Sequence, residues 1–131
     1  MLGVDTNVLV RFLVRDDETQ FEKARKLITR EVAAGRRVFI SHLVLLETEW
    51  VLRSRYGLPK SQIVATFSGL LGTTDVRFED EPAIEEALFT WKDATADFAD
   101  CLIGAKNRRL GCRATATFDA QAAKLPGFVA A

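Results

Sequence analysis

Short apolar runs alternate with longer helical segments along the whole of this chain, and that order constrains its fold more than any other feature. Residues 1–5 (MLGVD) read as a short buried strand, and Thr6-Asn7 open an apolar helix, VLVRFLV, that ends near Arg15, Asp16 and Asp17. A second helix covers about 18–34 and closes at Gly35. Residues 37–41 (RVFIS) form the next strand, followed by a helix from about 43 to 56 with Gly57 and Pro59 as stop signals. Ser61 is expected to cap the helix SQIVATFSGLLG, and residues 76–79 to form a brief strand. Glu81-Pro82 begin a helix reaching about Asp93, with Pro82 suited to the first turn. Asp97 starts a helix that runs to Leu110 and closes at Gly111. Residues 112–118 (CRATATF) alternate as a strand does, and a short helix after Asp119 and a last strand at Phe128-Val129 complete the order. Such alternation predicts an α/β protein with a parallel sheet covered on both faces.

With 131 residues, nearly half apolar, and no internal repeat or linker-like tract, the chain is expected to form one domain over residues 1–131. Eighteen basic residues balance eighteen acidic ones, so no global positive field is available and any nucleic-acid contact must be local. No apolar run approaches the ~20 residues of a membrane helix, and the N-terminus lacks the marks of a signal peptide. A cytoplasmic location without membrane contact is the expectation. Cys101 and Cys112 have no Cys or His neighbours at metal-ligand spacing, so both are read as small core residues without a disulfide. His42 is the only histidine, which excludes a ribonuclease mechanism built on two histidines and any His-rich zinc site. It is read as a structural residue near a strand end, and its adjacency to Ser41 makes a Ser-His dyad implausible.

In open parallel sheets the ligand site lies beyond the carboxyl ends of the strands. That rule selects Asp5, at the end of the first strand, and Asp119, just past CRATATF. Either could also serve as an ordinary helix cap. On the third helix, Leu43, Leu46, Trp50 and Val51 suggest one apolar face with Glu47 near its centre and Glu49 directed away from it. A carboxylate in a packed interface costs several kcal/mol unless a cation or polar cavity meets it, so a metal, an Arg or a cavity is expected at Glu47. Asp97 and Asp100 share one side of the sixth helix with Gly104, whose missing side chain is expected to leave room above Asp100. The positive end of the helix dipole would equally accept acids there. Asp5, Glu47, Asp100 and Asp119, with Asp97 near, are therefore expected to line an acidic pocket. Crowded carboxylates repel and call for a cation, and an all-oxygen donor set suits Mg²⁺ or Mn²⁺.

The segments VDTNVLVRFLV, ISHLVLLETEWVLRSRYGL, DFADCLIGAKNRRLGC and TATFDAQAAKL resemble the four signature blocks of VapC-type PIN-domain toxins, in order and over nearly the whole chain. The resemblance implies a PIN-like, Rossmann-like three-layer sandwich with about five short parallel strands. It implies a Mg²⁺- or Mn²⁺-dependent endoribonuclease, a homodimer, and inhibition by a VapB-type antitoxin. Carried onto this sequence, the family's acids fall on Asp5, Glu47, Asp100 and Asp119, with Asp97 matching a frequent additional acid. Asp5, Asp100 and Asp119 are the expected metal ligands, and Thr6, Asn7 and Thr117 match polar residues flanking the metal pocket. Cys101 and Gly104 stand where Ala is expected in relatives, a departure that touches helix packing and removes no ligand.

Arg11, Arg15, Arg53, Arg55, Lys106, Arg108 and Arg109 are candidate RNA contacts, with solvated helix faces as the plainer reading. Two other functions fit parts of the pattern. A catalytically silent PIN-fold module binding RNA or protein would not need the complete acids, and an aspartate-based phosphotransferase of the haloacid-dehalogenase kind needs an Asp where Asn7 stands.

Overall fold

The computed structural model describes residues 1–131. Helices and five short strands alternate as the sequence predicts, and every strand pair is parallel. The chain divides into two compact units, residues 1–79 and 80–131.

The first unit is built on a three-stranded sheet in the order β1-β2-β3, formed by Leu2–Gly3, Val38–Ile40 and Val76–Phe78. Val38 and Ile40 point to the same face of the central strand by the period of two, and both are almost wholly buried. The β1-to-β2 connection carries helices α1 (Thr6–Leu13) and α2 (Glu18–Ala33), and the β2-to-β3 connection carries α3 (His42–Ser54) and α4 (Lys60–Leu71). Crossovers of this length are what parallel neighbours require. Leu45 and Leu52 of α3 and Ile63 and Phe67 of α4 complete the core.

Three of these helices begin on side-chain caps. Asp5 Oδ1 accepts from the Val8 N–H at 3.0 Å, Asp17 from Gln20 at 3.0 Å, and Ser41 from Val44 at 3.3 Å. Ser61 is not a cap: α4 starts one residue before it, with Pro59 in the cap position and no side-chain cap bond. Pro59 fixes its own φ near the value a helix entry accepts and so sets the start without a hydroxyl. At the far edge of the sheet, Glu79 Oε1 accepts from the His42 N–H at 2.9 Å, placing a carboxylate on the positive end of α3. His42 is the first residue of the helix, separated from the strand only by the cap Ser41, and it is buried.

The second unit pairs α5 (Glu81–Trp91) with α6 (Phe98–Arg109) and adds β4 (Thr115–Thr117), a single 3₁₀ turn at 122–124 and β5 (Phe128–Ala130), which pairs with β4. Ala83, Ile84, Ala87 and Leu88 face Phe98, Leu102 and Ala105 as a dry helix-helix seam, and the Trp91 and Phe98 rings stand 5.1 Å apart at 53°. Asp80, before α5, has φ +38° and gives its carboxylate to Arg109 at 2.7 Å rather than to the helix N-terminus. An Asp tolerates that left-handed backbone better than most side chains.

Only Thr115–Thr117 of the CRATATF run is paired, and Cys112 is exposed, so it is not a core residue. It follows Gly111, whose φ of +95° ends α6 and turns the chain outward. Cys101 is buried, and both cysteines are free thiols. No helix is long and apolar enough to cross a membrane.

Candidate active site

Asp5 and Asp119 stand where the strand-end rule puts them, two residues past β1 and two past β4. Each uses one carboxylate oxygen as a backbone anchor. Asp5 Oδ1 caps α1, while Asp119 Oδ1 accepts from the Gln121 and Ala122 N–H groups at 2.7 and 2.9 Å. The Asp119 N–H in turn donates to Thr117 Oγ1 at 3.0 Å, so Thr117 sets the turn that aims the acid. Capping and ligand chemistry are compatible here: a carboxylate offers two oxygens, and both aspartates leave Oδ2 unused by these bonds. Thr6 and Asn7 form the first turn of α1 beside Asp5.

In the second unit Asp97 occupies the cap position of α6 without making the side-chain bond that a cap makes. Asp100, one turn on, is half-buried. Its carboxyl is held above the usual carboxylate range by burial first, then by the negative charges of Asp119 and Asp97. The helix dipole lowers a first-turn acid; here desolvation and like charge outweigh it. Asp97, Asp100 and Asp119 are thus brought within electrostatic reach of one another. No three His, Cys, Asp or Glu side chains stand close enough to hold a metal ion. The donor chemistry nonetheless fits a hard divalent cation: oxygen ligands only, and mutual repulsion that such an ion would relieve.

This upward shift of Asp100 has a thermodynamic sign. An acid whose pKa is higher folded than unfolded binds more protons in the folded state between those two values, so stability falls as pH rises through that window. Metal-free protein is therefore expected to lose stability relative to Asp100→Asn as pH climbs through the carboxylate range, with a constant difference by neutrality. Thermal melts of both proteins against pH measure it, and parallel curves would refute the crowding.

The third helix departs from expectation. Its buried residues are His42, Leu45, Thr48, Glu49 and Leu52, whereas Leu43 is 73% and Trp50 60% exposed. Glu47 lies on the exposed side, and Glu49 is the buried acid, 3% exposed and paired with Arg53 at 2.8 Å. The stretch LVLLETEWVL carries apolar residues on two stripes about 140° apart, so its periodicity does not say which is inside. The desolvation argument for a cation at Glu47 therefore falls.

Gly104 is also reassigned. It is buried, and a Cβ built there would stand 2.3 Å from Phe128 Cε1, so the missing side chain admits the Phe128 ring of β5 and leaves no open space above Asp100. Most of the candidate RNA-binding cations are tied to carboxylates: Arg11 to Asp16, Arg15 to Glu18, Arg53 to Glu49, Arg108 to Glu86 and Arg109 to Asp80.

Two further features escaped the sequence reading. One is Glu79, whose tie to α3 could have been suspected only from its strand-end position. The other is a groove of about 300 Å³ between α1 and α2, lined by Asn7, Val8, Arg11, Gln20, Lys23, Ala24 and Leu27.

The chain is 25% identical over 122 residues to a VapC ribonuclease of Aquifex aeolicus (strain VF5), covering 93% of this chain and 90% of that protein. Among solved structures it is similar to the crystal structure of Mycobacterium tuberculosis VapC20, described as a sarcin-ricin loop cleaving toxin, at 23% identity and a TM-score of 0.44, over 94% of this chain and 93% of that one. The PIN domain model matches residues 3–127, a span that takes in every strand-end acid described above. An α/β chain with parallel strands, aspartates at their carboxyl ends and this match over nearly its full length belongs to the PIN-domain family.

Proposed function

We propose that the protein is a Mg²⁺- or Mn²⁺-dependent endoribonuclease and the toxin of a VapBC-type toxin-antitoxin pair, acting in the cytoplasm as a homodimer controlled by a VapB-type antitoxin. The observation that carries the nuclease reading is the placement of Asp100, a half-buried carboxylate whose ionisation is opposed first by burial and then by the charges of Asp119 and Asp97. A protein gains nothing structurally from that repulsion, whereas a cation site is built from it. The similarity to a VapC ribonuclease supports the toxin reading. The match of one PIN model to residues 3–127 supports reading the chain as a single domain.

In this proposal Asp5, Asp100 and Asp119 would hold the cation, and Glu47 and Asp97 would orient the attacking water or hold a second ion. When bound, the cation supplies an acidified water and neutralises charge growing on the phosphodiester. The rest belongs to the chain. The bonds from Val8 to Asp5 and from Gln121 and Ala122 to Asp119 stop two carboxylates from rotating, so their free oxygens are already directed before substrate arrives. Thr117 fixes the second of those turns, and Thr6 and Asn7 flank the first. In-line attack on phosphorus displaces the 3′-oxygen and yields a 5′-phosphate and a 3′-hydroxyl.

Purified protein is expected to cleave RNA with added Mg²⁺ or Mn²⁺ and to stop when the ion is chelated; cleavage indifferent to chelator would sink the reading. Expression is expected to arrest growth unless a small antitoxin is co-expressed, and soluble, folded protein without growth effect would count against the toxin role. A phosphotransferase is disfavoured, because Asn7 occupies the second acid's place.

A further inference from the structure

The α1–α2 groove presents two helix faces to each other. Asn7 and Arg11 are one turn apart on α1, with Val8 between them, and Gln20, Lys23, Ala24 and Leu27 follow the i, i+3, i+4, i+7 spacing of one face of α2. Amides and cations therefore stand over an apolar floor of Val8, Ala24 and Leu27. The groove starts at Asn7, two residues beyond Asp5, and runs along α1 away from that acid.

Its two cations are in different states. Arg11 is fixed by a closed triangle: Nη1 donates to Asp16 at 3.1 Å and to the Tyr56 hydroxyl at 3.3 Å, and that hydroxyl donates to Asp16 at 2.8 Å. The Tyr56 hydroxyl, seconded by Arg11, holds the Asp16 carboxyl below its ordinary range. This anchoring uses Nη1 alone and leaves Nε and Nη2, the donor pair that grips a phosphate as a fork. Asp16 offsets part of the Arg11 charge. Lys23 is exposed and has no carboxylate partner, although Glu22 beside it is taken by Arg25 at 2.9 Å. A prearranged guanidinium edge and a full ammonium charge facing a groove with an apolar floor suit one occupant, a nucleotide whose phosphate meets the cations and whose base covers the floor.

We propose that the α1–α2 groove is a subsite for single-stranded RNA flanking the cleaved bond, with Lys23 and Arg11 as phosphate contacts and Gln20 and Asn7 as polar contacts to the nucleotide. The proposal rests on the ribonuclease reading and extends it to substrate positioning. The test uses full-length Asp100→Asn protein, a short fluorescein-labelled single-stranded RNA, and anisotropy titrations in chelator over a range of salt. Adding Lys23→Ala is expected to weaken binding about 10-fold. It is also expected to flatten the slope of log affinity against log salt by about 0.7, the signature of one lost phosphate contact on a single strand. Lys26→Ala, on the same helix but outside the groove, should leave that slope unchanged. RNA affinity unmoved by Lys23→Ala overturns the proposal, and equal losses at Lys23 and Lys26 overturn it in favour of a diffuse field. Cleavage by the parent protein with its metal is scored separately, so a parent that cleaves RNA while Lys23 proves indifferent rejects the subsite and keeps the nuclease.

Discussion

Replacing Asp100 by Asn is expected to slow RNA cleavage by about 100- to 1,000-fold, the range seen when one electrostatic contact to a transition state is removed. The substitution is nearly isosteric and falls in the first turn of α6, so it takes away a charge without disturbing the Trp91–Phe98 packing next to it. What distinguishes this site from a surface acid is the opposite movement of two measurements. Asp100 is ionised against burial and against Asp119 and Asp97, so metal-free protein should become more stable at neutral pH when the charge is removed, while activity collapses. Saturating Mg²⁺ should then raise the melting temperature of the parent more than that of Asp100→Asn, because only the parent keeps the carboxylate proposed to bind it. Cleavage rates under single-turnover conditions, paired with melts in chelator and in Mg²⁺, read both effects. A variant that loses activity because it unfolds, or one that cuts RNA at the parental rate, would remove Asp100 from the chemistry.

The acids were legible in the sequence to different depths. Asp5 and Asp119 follow from element order, because the end of a parallel strand is a topological address that a short apolar run already marks. Asp97 and Asp100 follow from helix spacing. Glu47 does not: on α3 the sequence offers Leu43, Leu46 and Trp50 on one stripe and Leu45 and Leu52 on another, and only tertiary packing selects the second. Glu49 then enters the core because Arg53 one turn later meets its carboxylate. Glu47 thus rests on the resemblance of ISHLVLLETEWVLRSRYGL to the family block. The α1–α2 groove was out of reach for a related reason: each of its helices reads as an ordinary amphipathic element, and the free state of Lys23 appears only once Glu22 is seen to pair with Arg25. Helix limits fared well where a side chain caps, at Asp5, Asp17 and Ser41, and slipped at Ser61, where Pro59 does the work of entry through its backbone.

Gly104→Ala is expected to destabilise the protein although it puts the best helix former in place of one of the worst. In an open helix interior that exchange is worth about 1 kcal/mol of stabilisation. Here the added carbon would lie 2.3 Å from Cε1 and 2.9 Å from Cζ of Phe128, well inside the ~3.5–4.0 Å of a comfortable carbon-carbon contact. The β5 backbone cannot carry the ring away, because it is held from both ends, so relief must come from a change of the Phe128 rotamer. The Thr115 N–H donates to the Gly127 carbonyl at 2.9 Å, the Ala131 N–H donates to Thr117 at 2.8 Å, and Arg108 Nη2 donates to the Pro126 carbonyl at 3.2 Å. Overpacking of this kind costs about 1–3 kcal/mol, which exceeds the propensity gain over most of its range. The same substitution made on a Phe128→Ala background meets no ring and should stabilise by about 1 kcal/mol relative to that background. Chemical denaturation of the four proteins in this cycle measures the sign reversal directly. If Gly104→Ala stabilised the parent as well, Phe128 would not be seated against α6, and the glycine would regain its earlier reading as space kept open above Asp100.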